Sequence, residues 1–340
     1  AVGGEITSQA LNDWFSYLDS RVSDAHDATK RLHTFDYTKI QPTYYTSLNL
    51  YWTTVLQGFA IDYKTGDIYA TQVDVHLDSD PVESFRITRL NKRGEMLDWM
   101  ACRYGGHGTN IALEHANGEI YFWSAYQNSS GDHKLVRFPY KKNMIIDGSE
   151  SFVEEYDKFT DDYVVPQIDE HNGLMVFVKR HSSTSRTIEL RNLNDVKMGN
   201  DNAFHTIDID GENFQGVVVD GYDLYWYSGT SDPNEDHPIS LYDFRDGELK
   251  AKIPTDFGKG PYGQFPADFR EPEGLFMYVD PNTGQKSLFA GVVVGDRLKR
   301  EPQLFAYHQP ENATLFNNWS NQYNQRYALT RSNGWSNEMP

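Results

Sequence analysis

Cysteine is almost absent from this chain, because Cys102 is the single cysteine among 340 residues. No disulfide can form within the chain, so the fold is not a small secreted module held together by disulfide bonds. A long apolar run is also missing. A membrane-spanning helix needs about 20 consecutive apolar residues, and we therefore expect no membrane insertion. The first residues, Ala1-Val2-Gly3-Gly4-Glu5, lack the basic and apolar regions of a signal peptide.

Basic residues are too few to balance the acidic ones. The 31 Lys and Arg stand against 49 Asp and Glu, which gives a formal net charge of −18. Such a chain repels phosphate backbones and anionic lipid surfaces, so nucleic acid and membrane are not expected as partners. A local group of arginines is the exception, and it forms either a contact for an anionic polymer or a solvated strand face. Its members are Arg86, Arg89, Arg93 and Arg103, of which Arg86 and Arg103 are candidate ligand-binding residues.

The apolar residues that are present favour β-strands. Hydrophobic residues make up 39% of the chain and aromatic residues 14%. They occur in short segments separated by Gly, Asp and Asn, a pattern typical of strands and turns. Five similar units recur at a period of about 50 residues, each with a short apolar strand, a turn and a second aromatic strand. The units begin at Gln57, Thr109, Pro166, Gln215 and Glu273.

A period of this length is typical of a propeller blade with four strands. A third strand follows in every unit, at Phe85–Leu90, His133–Phe138, Thr187–Leu190, Ile239–Tyr242 and Gln303–Tyr307. The sequence therefore predicts an all-β fold with a five-bladed β-propeller, closed into a ring by Thr314–Phe316 or by Tyr45–Trp52. A long β-sandwich is the alternative, but it would not produce five near-equal units.

The N-terminal segment has a helical pattern instead. Thr7 or Ser8 can cap a helix that begins near Gln9. Apolar or small residues then alternate at spacings of four and three, which is the heptad pattern of a coiled coil. They are Leu11, Phe15, Leu18, Val22, Ala25, Thr29 and Leu32. The pattern predicts an α-helical coiled-coil stalk and an oligomer, and a helix lying on the core of its own chain is the alternative.

These patterns divide the chain into three parts. We predict a helical stalk and connector at residues 1–43, the propeller at 44–315, and a C-terminal extension or linker to a further domain at 316–340.

The residues that open the innermost strands are candidates for a shared binding site, because these strands start near one mouth of the central channel. They are Gln57, Thr109, Asn110, Gln167, Gln215 and Glu273. Amides hydrogen-bond well to hydroxyl groups and phosphate oxygens but are poor acid–base catalysts. We therefore expect ligand binding here and no catalytic residues. The alternative is that these side chains tie neighbouring blades together.

The loop Tyr104–Asn110 contains three glycines, which let a backbone approach a ligand closely. His107 in this loop could act as acid, base or metal ligand, but no nucleophile pattern surrounds it. No acidic cluster has a calcium-loop spacing, so we expect no metal and no cofactor. Aromatic residues near the inner strands could stack on sugar rings or pack in the core. They are Trp52, Trp123, Tyr126, Trp226 and Tyr227, of which Tyr126 is a candidate ligand-binding residue.

Three segments carry a resemblance to a known family: Gln57–Asp62, Arg86–Asn91 and Gly105–Ile111. They are similar to the propeller of receptor-binding tail-fibre proteins of staphylococcal phages, most closely those of short-tailed phages. With the entry of the stalk, the resemblance covers about residues 5–310. It implies a homotrimer held by the N-terminal helix, placed in the virion tail beside other tail proteins and acting at the host cell surface. The ligand that it implies is cell-wall teichoic acid carrying N-acetylglucosamine.

Two other functions stay open. Bacteriocin-like proteins of the helveticin type have related propellers. A polysaccharide lyase or hydrolase could use His107 with a Tyr or Glu as acid–base partner, but a paired-carboxylate hydrolase needs two converging carboxylates, and the sequence does not locate such a pair. The prediction is therefore a non-enzymatic adhesin.

Overall fold

The structure is a computed structural model of the chain. It describes residues 7–19, 34–51, 54–77, 82–109, 111–159, 163–258, 269–295 and 300–319. The chain divides into two compact units, Ala1–Lys39 and Ile40–Pro340. No helix within the described ranges combines the length and the apolar character needed to cross a membrane.

The first unit contains helix α1, which spans residues 8–19. Its start is as predicted, because Thr7 Oγ1 accepts a hydrogen bond from the Ala10 N–H at 3.1 Å. The second half of the predicted heptad pattern lies outside the described residues, and a coiled-coil stalk is not shown. The heptad residues on α1 are solvent-exposed in the single chain: Leu11 is 42%, Phe15 58% and Leu18 38% exposed. A short 3₁₀ turn follows at Tyr37–Lys39.

The described part of the second unit contains 21 strands. Strand β1 (Thr43–Ser47) precedes the first blade, which contains β2 (Leu56–Ile61), β3 (Ile68–Val73), β4 (Phe85–Leu90) and β5 (Met96–Cys102). The second blade contains β6 (Ala112–Ala116), β7 (Glu119–Gln127), β8 (His133–Pro139) and, after β9 (Met144–Ile146), β10 (Glu154–Glu155). The third contains β11 (Val164–Asp169), β12 (Leu174–Ser182), β13 (Ser185–Asn192) and β14 (Ala203–Asp210). The fourth contains β15 (Phe214–Asp220), β16 (Asp223–Ser228), β17 (Ile239–Asp243) and β18 (Glu248–Ile253), and the fifth β19 (Arg270–Val279), β20 (Lys286–Val294) and β21 (Glu301–His308).

Short helical segments also occur among the described residues of this unit. They are a 3₁₀ turn at Asp157–Phe159, helix α2 at Leu193–Lys197 and helix α3 at Pro310–Trp319.

Apart from β9, the strands of each blade pair antiparallel, and the first strands β2, β6, β11, β15 and β19 contact one another around a ring. The predicted five-bladed propeller is therefore confirmed. The outermost position of the fifth blade is taken by β1, which pairs with β21. A strand from the N-terminal end thus completes the last blade, and it overlaps the predicted closing segment Tyr45–Trp52. The other predicted segment, Thr314–Phe316, lies in helix α3.

One strand leaves its own blade. Strand β9 follows β8 in sequence but pairs in parallel with β5 of the first blade, where Met100 lies opposite Met144. The first blade therefore has five strands, and the short β10 takes the outer position of the second. The four-strand pattern read from the sequence does not contain this exchange.

The hydrophobic core lies between consecutive blades. Phe59 of the first blade packs with Phe289 of the fifth, and Ile87 of the first packs with Phe122 of the second. Cys102 is fully buried in the same region, and burial raises the pKa of its thiol well above the usual range, as expected for an inert core residue. Four of the aromatic residues considered for sugar stacking are also buried, and the fifth, Trp52, lies outside the described residues. They are Trp123, Tyr126, Trp226 and Tyr227.

Candidate functional site

Three inner strands are bulged where the sequence placed a candidate ligand residue. The strand register shifts between Leu56 and Gly58 on β2, between Phe214 and Gly216 on β15, and between Pro272 and Leu275 on β19. A bulge adds one residue to its strand and re-aims the side chain at that position. The side chains concerned are Gln57, Gln215 and Glu273, and each is followed by a glycine.

Those glycines let the three strands approach each other closely. A Cβ atom added to Gly216 would lie 2.7 Å from the backbone N of Leu275 and 2.8 Å from Cα of Gly274. A Cβ atom added to Gly274 would lie 3.2 Å from Cα of Gly58. No side chain fits into such a contact, so glycine is required. The polar residues before the three glycines therefore lie together, where the fourth, fifth and first blades meet.

Two carboxyl groups converge in this cluster. Glu273 is buried, and burial together with the negative charge of Glu271 raises its pKa well above the usual range. Burial also raises the pKa of Glu271, while the Gln215 amide, the Arg300 charge and the hydrogen bond with Glu273 counteract the effect. The side chains of Glu271 and Glu273 are hydrogen-bonded to each other. Since two neighbouring carboxylates repel each other, the raised pKa of Glu273 favours its protonated form beside Glu271.

The amides around the carboxyl pair are held by backbone and side-chain contacts. Gln215 Nε2 donates to the carbonyl of Gly229 at 2.8 Å and lies 3.5 Å from Oε1 of Glu271. Gln57 Nε2 lies 3.5 Å from the carbonyl of Val55 and is half-buried. We name the group of Gln57, Gln215, Glu271, Glu273 and Arg300 the channel-mouth cluster.

The glycine-rich loop borders this cluster, although its glycines also have a packing role. A Cβ atom at Gly105 would lie 2.5 Å from Cε1 of Phe85, and one at Gly108 would lie 2.8 Å from Cβ of the same residue. These glycines therefore let the loop pass over Phe85. His107 is exposed, its Nδ1 lies 2.8 Å from Oε2 of Glu83, and its charge acts on Glu271 of the cluster.

The last residues of the loop are only partly described. The Thr109 side chain is hydrogen-bonded to the Tyr163 side chain. Asn110 lies outside the described residues.

Gln167 lies in the interior of its inner strand, as the fourth of the six residues of β11. It is buried, its Nε2 is 3.3 Å from the carbonyl of Val217, and it lines a pocket with Asp169 and Asp220, next to the turns that end the inner strands. This pocket holds about 40 Å³. A single water needs roughly 10–15 Å³ by the same measure, so the pocket has room for a few waters but not for a sugar ring. Gln167 therefore ties two blades together.

Neither candidate arginine belongs to the cluster, because Arg86 lies on β4 and Arg103 in the turn that follows β5. Arg86 Nε donates to Oδ2 of the buried Asp74 at 3.1 Å, and its guanidinium lies over the rings of Tyr51 at 4.6 Å and Trp99 at 4.3 Å. The Tyr126 hydroxyl donates to the carbonyl of Arg103 at 2.8 Å.

The structure thus brings Gln57, Gln215 and Glu273 together and adds two residues that sequence reasoning missed. Glu271 was detectable as the second acid of a Glu-Pro-Glu run, but nothing in the sequence connected Arg300 to it. Among the described residues, no group of three or more His, Cys, Asp or Glu side chains has the arrangement of a metal site. Taken together, the amide and carboxyl groups of the cluster provide hydrogen-bond donors and acceptors. The hydroxyl groups of a polyol or sugar require both.

Comparison with known proteins agrees with this fold. The family model for the phage five-bladed β-propeller receptor-binding platform domain matches residues 55–306. A protein of Bacillus subtilis strain 168, named putative major teichoic acid biosynthesis protein C, is 36% identical over 287 residues, which are 82% of this chain and 65% of that protein. The tail fiber of Staphylococcus aureus phage P68 is 29% identical with a TM-score of 0.73, over 93% of this chain and 62% of the tail fiber. This chain therefore spans slightly less than two thirds of each relative.

A thermostable family-43 glycoside hydrolase shares 9% identity with a TM-score of 0.43, over 77% of this chain and 91% of the hydrolase. That likeness is too distant to bear on function. The chain belongs to the phage five-bladed β-propeller receptor-binding platform family. Platforms of this class are part of the phage tail and act at the surface of the host cell, as the sequence predicted.

Proposed function

We propose that this chain is the platform of a phage tail fibre that attaches the virion to a host cell-wall glycopolymer, and that its ligand is glycosylated wall teichoic acid. Two similar proteins support the proposal. One is named as a tail fiber of a Staphylococcus aureus phage, and the name of the other refers to teichoic acid, a cell-wall glycopolymer.

The channel-mouth cluster is the observation that carries the choice of ligand. Its amides and the proton-sharing Glu271–Glu273 pair offer short-range hydrogen bonds to hydroxyl groups. The net charge of −18 gives no long-range attraction to a phosphate polymer. Recognition therefore depends on the sugar units of the polymer, and Arg300, whose charge acts on Glu271 and Glu273, is the cluster's cation for a phosphate group.

The same cluster is unsuited to glycoside hydrolysis. Retaining glycosidases hold their two carboxyl groups about 5–5.5 Å apart and inverting ones about 6.5–9.5 Å apart. The side chains of Glu271 and Glu273 interact directly with each other, two residues apart on β19. This pair differs from the separated carboxyl groups of a glycosidase, which supports a binding function without catalysis.

The proposal includes an assembly. The exposed heptad residues of α1 form the interface of a homotrimer, and the remaining partners are other proteins of the virion tail. Residues 1–43 act as stalk and connector, 44–315 as the propeller and 316–340 as an extension or linker.

The experiment compares binding of the protein to purified wall teichoic acid with and without its sugar substituents, at increasing NaCl concentrations. We expect binding to the glycosylated polymer to stay flat or rise modestly with salt, because salt screens repulsion, and to collapse when the sugar is removed. A steep fall with added salt and no dependence on the sugar would overturn the proposal.

Two variants locate the binding. The double substitution Gln57→Ala and Gln215→Ala should weaken binding, whereas Asn202→Ala, which removes an exposed amide in the third blade, should leave it unchanged. The polymer is also assayed for new reducing ends and unsaturated sugars. Their accumulation would contradict the non-enzymatic function, and killing of target cells by the isolated chain would favour the bacteriocin-like alternative.

A further inference from the structure

A second pocket opens at the rim of the second blade, away from the channel. It holds about 240 Å³ and is lined by Tyr104, Tyr126, Asn128, Ser129, Lys134, Val136, Asp147, Gly148, Ser149 and Glu155. Small-molecule sites typically enclose roughly 300–1,000 Å³. The outer pocket, as we name it, is slightly smaller than that range and suits one small unit rather than an oligomer.

Tyr104 provides the aromatic wall of the outer pocket, and its backbone is strained. Its φ is +61°, a left-handed conformation that bulky residues rarely adopt. Ser84 Oγ accepts a hydrogen bond from the Tyr104 N–H at 3.0 Å, which holds the residue in place. A tyrosine kept at a position where glycine or asparagine would be less strained indicates that its ring has a role.

The floor of the outer pocket is apolar and fixed. Tyr126 and Val136 are buried, and the Tyr126 hydroxyl is already used by the carbonyl of Arg103. A Cβ atom at Gly148 would lie 3.0 Å from Cε1 of Tyr126, so glycine lets the loop close onto this ring. One face of a ligand would therefore meet aromatic and aliphatic surface.

The polar groups of the outer pocket offer hydrogen bonds of both kinds. Asn128 Oδ1 accepts hydrogen bonds from the backbone N–H groups of Ser130 and Asp132. The NH₂ group of the same amide can donate hydrogen bonds to a ligand. Lys134 adds an ammonium group, whose Nζ lies 3.7 Å from Oε2 of Glu155. Hydrogen bonds from Ser149 lower the pKa of Asp147, which stays ionised and acts as acceptor.

These groups select against an anion. One lysine stands against the two carboxylates Asp147 and Glu155 among the lining residues, so a phosphate group meets net repulsion. A neutral sugar presents hydroxyl donors to carboxylates, hydroxyl acceptors to ammonium and amide groups, and an apolar ring face to an aromatic wall.

We infer that the outer pocket is a second binding site of the platform, specific for a single neutral pyranose sugar. The inference rests on the proposed function, which it extends from the channel mouth to the rim. The loop from Tyr104 to Thr109 connects the two places, and a polymer that reaches both gains avidity.

The test uses free monosaccharides, so that it is independent of the polymer. N-acetylglucosamine and methyl glucoside are titrated into the full chain with saturation-transfer NMR as readout, and glycerol 3-phosphate serves as the anionic comparison. Tyr104→Asn removes the ring but places a residue that tolerates the left-handed conformation, so the variant should fold. Tyr222→Asn, which removes an exposed tyrosine elsewhere, is the matched control.

We expect at least a fivefold weaker sugar signal in Tyr104→Asn, no change in Tyr222→Asn and no saturable signal from glycerol 3-phosphate. Lys134→Gln provides a second variant with the same expectation. Sugar binding that is equal in wild type and both pocket variants, or preferential binding of glycerol 3-phosphate, would overturn the inference and leave the proposed function standing. If the polymer fails to bind while the sugars bind at Tyr104, the proposed function fails and this site remains.

Discussion

Nε2 of His115 lies 2.8 Å from Oδ1 of Asp62, so a histidine of the second blade is hydrogen-bonded to a carboxylate of the first. Its Nδ1 lies 2.8 Å from Oε1 of Glu170, next to the third blade, and the ring of Tyr63 packs at 4.3 Å. One half-buried imidazolium thus links three consecutive blades.

This link makes stability depend on pH. Burial by itself would lower the pKa of His115, but the hydrogen bonds to Asp62 and Glu170 outweigh it and raise the pKa from 6.5 to about 9. The stabilisation is fully present below pH 6.5 and is lost as pH rises through about 9. We expect the melting temperature of the wild type to decrease as the pH rises from 6.5 to about 9. The His115→Gln variant should lack this part of the decrease. Parallel curves for the two proteins would contradict the charged link.

The Glu271–Glu273 pair gives a second pH dependence. The pKa of Glu273 is raised by burial and by Glu271, so its favourable contribution is present below the ordinary value of 4.5 and is lost as pH rises toward the raised pKa. Glu273→Gln keeps the shape of the protonated side chain and cannot ionise. The variant should be more stable than wild type at neutral and alkaline pH and equal to it below pH 4.5. Chemical denaturation across this pH range measures the difference, and an advantage that grows at low pH would refute the assignment of the proton.

The contact at Gly216 predicts a stability loss without a charge change. Gly216→Ala places a methyl group 2.7 Å from the backbone N of Leu275, where nothing flexible can give way. We expect a loss of about 1–3 kcal/mol in the free energy of unfolding, as for other overpacked sites. Gly247→Asn is the control, because a Cβ there meets nothing within 4 Å and asparagine tolerates a positive φ. Equal melting temperatures for the two variants would show that the strands are not in contact.

His107 should matter for binding and not for stability. Its contact with Glu83 is exposed, with 49% and 54% of the two side chains accessible, and such surface contacts contribute about 0–1 kcal/mol. His107→Ala should leave the melting temperature nearly unchanged and weaken binding to glycosylated polymer about tenfold, the equivalent of one hydrogen bond. Glu83→Gln tests whether the histidine needs its partner. A steep loss of stability with unchanged binding per folded molecule would make the loop structural.

The exposed face of α1 predicts the oligomeric state. Replacing both Leu18 and Val22 by Asp puts charge into the proposed helical interface and should convert trimers into monomers. Light scattering measures the mass, and Asp19→Asn on the same helix should leave it unchanged. A wild-type protein that is already monomeric would contradict the trimer.

The sequence by itself determined the blades and the start of the helix. The five units, their third strands and the cap at Thr7 follow from local patterns, since strand alternation, turn residues and capping depend on neighbours a few positions away. Gln57, Gln215 and Glu273 were found in the same way, as the residues before a glycine at the start of an inner strand.

Only the tertiary structure decided which of these residues meet. Gln167 was also selected as a residue that opens an inner strand, but no glycine follows it and β11 has no bulge there, so it does not join the cluster. Three features join residues that are distant in sequence. They are the interaction of Glu271 with Arg300, the contacts of His115 with its partners, and the outer pocket at Tyr104. Their burial, charges and pKa values arise from contacts between blades, and such contacts are set by the packing of the closed ring rather than by any local pattern.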